Sequence, residues 1–122
     1  PRAEARCRSA RGELRRKEGD YADALRWLDE ARRLYGGLGD ETGLAEVLHL
    51  SGTVNAQQGE FERARELYHQ SMAVRRRHGD KRKIASLLSN LGIIAWFRND
   101  LAEARRLYEE SLTIRRESAT DP

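Results

Sequence analysis

Residues 85–116 read ASLLSNLGIIAWFRNDLAEARRLYEESLTIRR. The stretch is two amphipathic helices back to back, parted by the turn pair Asn99-Asp100. The same design stands one step earlier, from Ala45 to Arg76, and more faintly from Ala5 to Arg33. The step can be measured. Gly12, Gly52 and Gly92 are spaced by 40 residues, as are Ala24, Ala64 and Ala104. Gly19, Gly59 and Asn99 keep the interval, and so do Tyr21, Phe61 and Leu101. Leu48/Leu88, Leu67/Leu107, Tyr68/Tyr108 and Ser71/Ser111 add four more matched pairs. A fixed period of this size is the mark of a solenoid, whose units bury their apolar faces on one another. Three units fill the chain as a single domain, residues 1–40, 41–80 and 81–120. The fold class is therefore all-α.

Punctuation sets the expected helices. The first runs from Ala3 to Glu18, with Ala3, Cys7, Ala10 and Leu14 recurring at three- and four-residue steps as its apolar stripe. Gly19 ends it, and Asp20 caps the next helix by accepting from backbone N–H groups that lack partners inside it. That helix carries Tyr21, Ala24, Leu25, Leu28, Ala31 and Leu34. It is expected to end at Gly36-Gly37, since each glycine disfavours a helix interior by about 1 kcal/mol. Asp40 caps a third helix over Glu41–Gln58, with Val47, Leu48 and Val54 inward. A fourth covers Glu60–His78, Gly79-Asp80 repeats the Gly39-Asp40 joint, and a fifth covers Lys81–Arg98. Asp100 and Glu103 have capping-box-like spacing for a sixth, and the tail from Glu117 is expected to fray. Gly92 and Ala104 lie where two helices cross, with Tyr108 filling the gap beside them.

The 122 residues suit one domain, 35% charged and of mean hydropathy −0.82. No apolar run approaches the roughly 20 residues that span a membrane, and no signal peptide is recognised. The expectation is a cytoplasmic protein. The start at Pro1 suggests a processed chain or a piece of a longer one. Among 23 basic residues only Lys17, Lys81 and Lys83 are lysine, a bias that reads as coding more than chemistry. A single cysteine, Cys7, excludes an internal disulfide and any Cys-based metal cluster, and it is assigned to packing. His49, His69 and His78 fall on different expected surfaces, so no triad can be assembled from them. Without His-x-x-x-His, a Walker loop or a Gly-rich phosphate cradle, the chain is read as a non-enzyme needing no metal and no cofactor.

The recurring positions resemble the tetratricopeptide repeats, helical hairpins with Leu-x-x-Leu-Gly in the first helix and Ala-x-x-x-aromatic in the second. Here the pattern reads Leu88-x-x-Leu91-Gly92, then Ala104-x-x-x-Tyr108 with Ser111 three residues on. Repeat two keeps Leu48, Gly52, Ala64, Tyr68 and Ser71 but has Ser51 at an apolar site. Repeat one keeps Gly12, Ala24, Leu28 and Ala31 yet places Arg8 and Arg11 at the leucine sites. The 40-residue step is similar to the longer variety found in kinesin light chains and bacterial regulators. HEAT repeats share the length, but the glycine and alanine positions follow the tetratricopeptide scheme.

The resemblance implies a right-handed superhelix of three hairpins, whose first helices line a concave groove for a peptide or protein partner. Glu13 from repeat one and His49 and Thr53 from repeat two would lie in it. Repeat three would supply Ser86, Asn90, Ile93, Trp96 and Phe97. Asn90 matches a family asparagine able to hold a peptide backbone, and Trp96 and Phe97 offer flat apolar anchors. The function implied is recognition of a protein segment, as part of a larger signalling or transcription-regulating protein.

Charge suggests a competing reading. Arg75, Arg76, Arg77, Lys81, Arg82 and Lys83 crowd the joint between repeats two and three, and stacking would align them with Arg32-Arg33 and Arg115-Arg116 as a basic edge. An acidic ligand or nucleic acid would suit such an edge. Against it, cations at helix C-termini complement the helix dipole, and the net charge is only +3. Nucleic acid is therefore not the expected partner. A third reading is a structural spacer or oligomerisation module. The last helix has no successor, so one of its apolar flanks, Leu107/Ile114 or Leu101/Leu112, should lie bare and invite self-association through the C-terminal hairpin.

Overall fold

A computed structural model describes residues 1–120, the side chain of Thr120 excepted. Its six helices are α1 (Arg2–Lys17), α2 (Tyr21–Leu38), α3 (Glu41–Gln57), α4 (Phe61–His78), α5 (Lys81–Phe97) and α6 (Leu101–Thr120). Among the described residues there is no strand, and no helix is long and apolar enough to cross a membrane.

The breaks follow from backbone chemistry. Gly19, Gly39, Gly59, Gly79 and Asn99 all take positive φ, from 62° to 81°. Asn is one of the few other residues that tolerates this left-handed conformation. Next to four of these breaks an aspartate starts the following helix. Asp20, Asp40, Asp80 and Asp100 accept from the N–H groups of Asp23, Gly43, Lys83 and Glu103 at 3.0–3.3 Å.

Two expected boundaries are corrected. α2 does not stop at Gly36-Gly37 but continues to Leu38, and Gly39 ends it in the left-handed conformation. Tyr35, one residue before the glycines, is buried and anchors this last turn. α6 likewise does not fray from Glu117 but stays helical to Thr120.

The chain divides into two compact units, residues 1–71 and residues from Met72 onward. In the first, α2 packs on both α1 and α3. Its core is Ala5, Ala24, Leu28, Ala31, Tyr35, Val47 and Val54. Close approach is secured by glycine. A methyl group on Gly12 would lie 2.7 Å from Leu28 Cγ, and one on Gly52 would lie 2.8 Å from Tyr68 Cδ1. Ser71 is buried and donates to the Ala45 carbonyl at 2.7 Å.

The expected stripe of α1 is the wrong face. Ala3, Cys7, Ala10 and Leu14 are exposed, and Ala5, Ser9 and Gly12 are the buried residues. Cys7 therefore has no packing role within the unit. Arg8 and Arg11, at the leucine sites, are accommodated by charge and by an aromatic face. Arg8 pairs with Glu4 and Glu30, and the two guanidiniums lie 5.9 and 4.9 Å from the centre of the Trp27 ring, within cation–π reach.

In the second unit α5 packs on α6. Leu87, Leu88, Leu91, Ile94, Ala104 and Leu107 are buried. A methyl group on Gly92 would meet Tyr108 Cε1 at 2.9 Å. Ser111 donates to the Ala85 carbonyl at 2.8 Å, repeating the Ser71 bond one period on.

Candidate interaction site

In the first unit Glu13 and Thr53 stand in two separate hydrogen-bonded groups, with the His49 ring beside the second. The Glu13 carboxylate accepts from Arg16 Nε at 3.1 Å, and Arg16 Nη1 donates to Gln57 Oε1 at 3.1 Å, tying α1 to α3. The bond to Glu13 strengthens the hold of Arg16 on its proton, against the effect of partial burial. Thr53 Oγ1 lies 3.2 Å from the His49 carbonyl and 3.0 Å from the Tyr68 hydroxyl. The His49 ring stands edge-on to Tyr68, with centroids 5.7 Å apart. Burial pushes the Tyr68 hydroxyl above the ordinary phenol range, while Thr53 and the Arg16 charge pull it back. Glu13 and Thr53 thus each have a side-chain partner within the unit. The resemblance pointed to Thr53 but gave no sign of its tyrosine partner, since Tyr68 was read only as a matched repeat position.

The second unit presents a different surface. At 100° per residue, Ser86, Asn90, Ile93 and Phe97 fall within about 60° of arc on α5, and Trp96 stands on their flank. Ser86 and Asn90 are half-buried. Ile93, Trp96 and Phe97 are 45%, 59% and 64% exposed, so neither aromatic residue is withdrawn into the core. Large apolar side chains left in water beside a carboxamide can dock a segment of another protein. They offer no chemistry for catalysis.

The expected basic edge loses one member. Arg75 is a correction: it is buried, with its guanidinium 3.7 Å from the Asp80 carboxylate. Its hydrophobic neighbours Met72 and Val74 are buried with it. Arg76 lies 3.6 Å from Glu110. Arg77, Lys81 and Arg82 are exposed, and Lys83 is half-buried on the first turn of α5. Among the described residues no group of three or more His, Cys, Asp or Glu is arranged to hold a metal ion.

The tetratricopeptide repeat family model matches residues 3–77 and again 43–117. The chain belongs to the tetratricopeptide repeat family. Tetratricopeptide repeats are generally protein–protein interaction modules. None of the curated proteins matches this chain. Among solved structures, it is similar to the tetratricopeptide domain of Arabidopsis FLU, with 18% identity and a TM-score of 0.87 over 97% of this chain and 99% of that one. It is also similar to the N-terminal domain of stress-induced protein-1 from C. elegans, with 21% identity and a TM-score of 0.77 over 93% and 85%. BtubC from P. vanneervenii matches with 22% identity and a TM-score of 0.84 over 93% of this tetratricopeptide chain, which spans 46% of the length of BtubC. At these identities the likeness is one of fold: an all-α helical-repeat architecture.

Proposed function

We propose that the exposed face of α5 docks an extended segment of a partner protein. A large apolar side chain of the segment rests on Ile93, Trp96 and Phe97, and Asn90 holds its backbone. The observation that carries this reading is the exposure of those three apolar residues on one helix, in a family of interaction modules. Glu13, His49 and Thr53 of the first unit make a weaker anchor, because none of them offers a large apolar side chain. On this reading the chain is the recognition part of a larger regulatory protein of the cytoplasm. BtubC offers a parallel for such a segment, since the matched stretch is less than half of that chain.

Selection of peptides from a random library on the intact chain tests the reading. Selected peptides should share a large apolar residue. Their affinity should fall by about 1 kcal/mol or more in Asn90→Ala and in Trp96→Ala. Affinity untouched by both changes would remove α5 as the site. Dimerisation abolished by Trp96→Ala would instead assign the face to a second copy of the chain.

A further inference from the structure

Arginine in this chain usually meets a carboxylate. Arg8 pairs with Glu4 and Glu30, Arg15 with Glu18 and Asp23, Arg32 and Arg33 with Asp29, and Arg106 with Glu103 and Glu110. Not every arginine does so: Arg11 meets the Trp27 ring instead, and at one place two others gather with a lysine. A cavity of about 350 Å³ opens between the start of α5 and the end of α6, and Lys81, Arg82 and Arg115 all line it. None of the three has a carboxylate partner among the described residues. Arg115 instead contacts hydroxyls, with Nε 3.3 Å from Ser111 Oγ and Nη2 3.5 Å from Ser89 Oγ. The neighbouring acid Asp80 is already engaged, accepting from the Lys83 N–H and lying 3.7 Å from Arg75. Ser86 and Ser118 add two hydroxyls to the lining.

The cluster is not a property of the repeat scaffold. One period earlier, Lys81, Arg82 and Ser86 correspond to Glu41, Thr42 and Glu46. Repeat two thus carries two carboxylates where repeat three carries two cations and a hydroxyl. Three like charges from two helices gathered round a concavity repel one another, and an anion that bridges them removes that repulsion.

We propose that this cavity is an oxyanion site for a phosphoryl dianion. Two guanidinium forks match the oxygens of phosphate in pairs, the ammonium of Lys81 adds a point charge, and the two hydroxyls can donate to the oxygens that remain. A single carboxylate would leave more of the positive charge unopposed. The site stands apart from the apolar docking face of α5 and shares only Ser86 with it.

The test is a titration of the intact chain, followed by amide NMR at constant ionic strength. The probes are inorganic phosphate, a phosphoserine peptide, and the same peptide with serine or with glutamate. Saturable shifts confined to residues 81–86 and 114–119 are expected, with affinity about tenfold lower in Arg82→Gln and in Arg115→Gln and unchanged in Arg105→Gln. Arg82 is exposed, so its substitution reads binding without disturbing the packing. Saturation by inorganic phosphate assigns the site to a free anion, and saturation by the phosphopeptide alone assigns it to a modified partner. Equal binding of the glutamate peptide would overturn the phosphoryl assignment. Shifts that drift without saturating at every exposed arginine would reduce the effect to ionic screening and end the proposal. Trp96→Ala should leave this titration unchanged, which keeps its outcome separate from that of the α5 face.

Discussion

Gly52 has no room for a methyl group, because the Tyr68 ring occupies the space. The ring is itself buried and cannot swing out into water. Gly52→Ala should therefore destabilise the first unit by about 1–3 kcal/mol, measured by urea denaturation. Tyr68 also carries a pH dependence. Its folded-state pKa lies above the ordinary phenol value, mainly through burial. Folding favours the protonated form, so the stability it contributes is complete below about pH 10 and falls as pH rises beyond it. Tyr68→Phe should flatten this alkaline loss while costing roughly 1 kcal/mol at neutral pH through the missing Thr53 bond. An unchanged alkaline slope would show that another group is responsible. At this scale the small residues were legible in the sequence, because close packing forces Gly12, Gly52 and Gly92 to recur. The partners of long side chains were not. Arg8 and Arg11 reach Trp27 through rotamers that no period encodes. Arg75 turns inward although it stands in a run of three arginines.

Helix ends were legible to within a residue or two wherever glycine and aspartate stand together, because both the left-handed turn and the cap are local chemistry. Gly36-Gly37 misled because helix propensity alone is a weak signal. Nothing lies within 4 Å of a methyl group added at either position. Gly36→Ala and Gly37→Ala should thus each stabilise α2 by about 0.5–1 kcal/mol, read as a higher thermal midpoint by circular dichroism. Destabilisation would mean that the last turn needs glycine for some other reason. The face of α1 failed for a different cause. Cys7 and Leu14 correspond, one period on, to Val47 and Val54, which are buried in the core with α2. A hydrophobic period marks a face fit for burial, but it does not reveal whether a neighbour covers it. On α5 it was the resemblance, not the period, that pointed to Ile93, Trp96 and Phe97 as groove residues.

For the molecule as a whole, the 40-residue period made the all-α repeat architecture legible, since it is a relation among distant residues that only a repeated unit satisfies. The period could not locate the basic cavity, where Lys81 and Arg115 meet from opposite ends of one hairpin. It also left open which flank of α6 is bare. Leu107 is buried, whereas Leu101 and Leu112 are 53% and 48% exposed. Self-association through this hairpin should accordingly run through Leu101 and Leu112. Light scattering at rising concentration should show mass growing for the native chain and staying flat for Leu101→Glu/Leu112→Glu, with helical content preserved. A native chain that remains monomeric throughout would sink the idea.

The turns bear on how such a chain can change over generations. Gly39-Asp40 and Gly79-Asp80 are the same joint, with φ of 66° and 65° at the glycine and the same aspartate cap behind it. Excising residues 41–80 joins Asp40 to Lys81 and leaves a junction of unchanged chemistry. Copying them in tandem does the same. A loss or gain of a few residues within a helix instead rotates everything beyond it by 100° per residue and moves the glycines off the side chains they accommodate. Unequal recombination in steps of 120 nucleotides is then the tolerated way for such a gene to alter its length, and shorter frame-preserving changes should be confined to the turns.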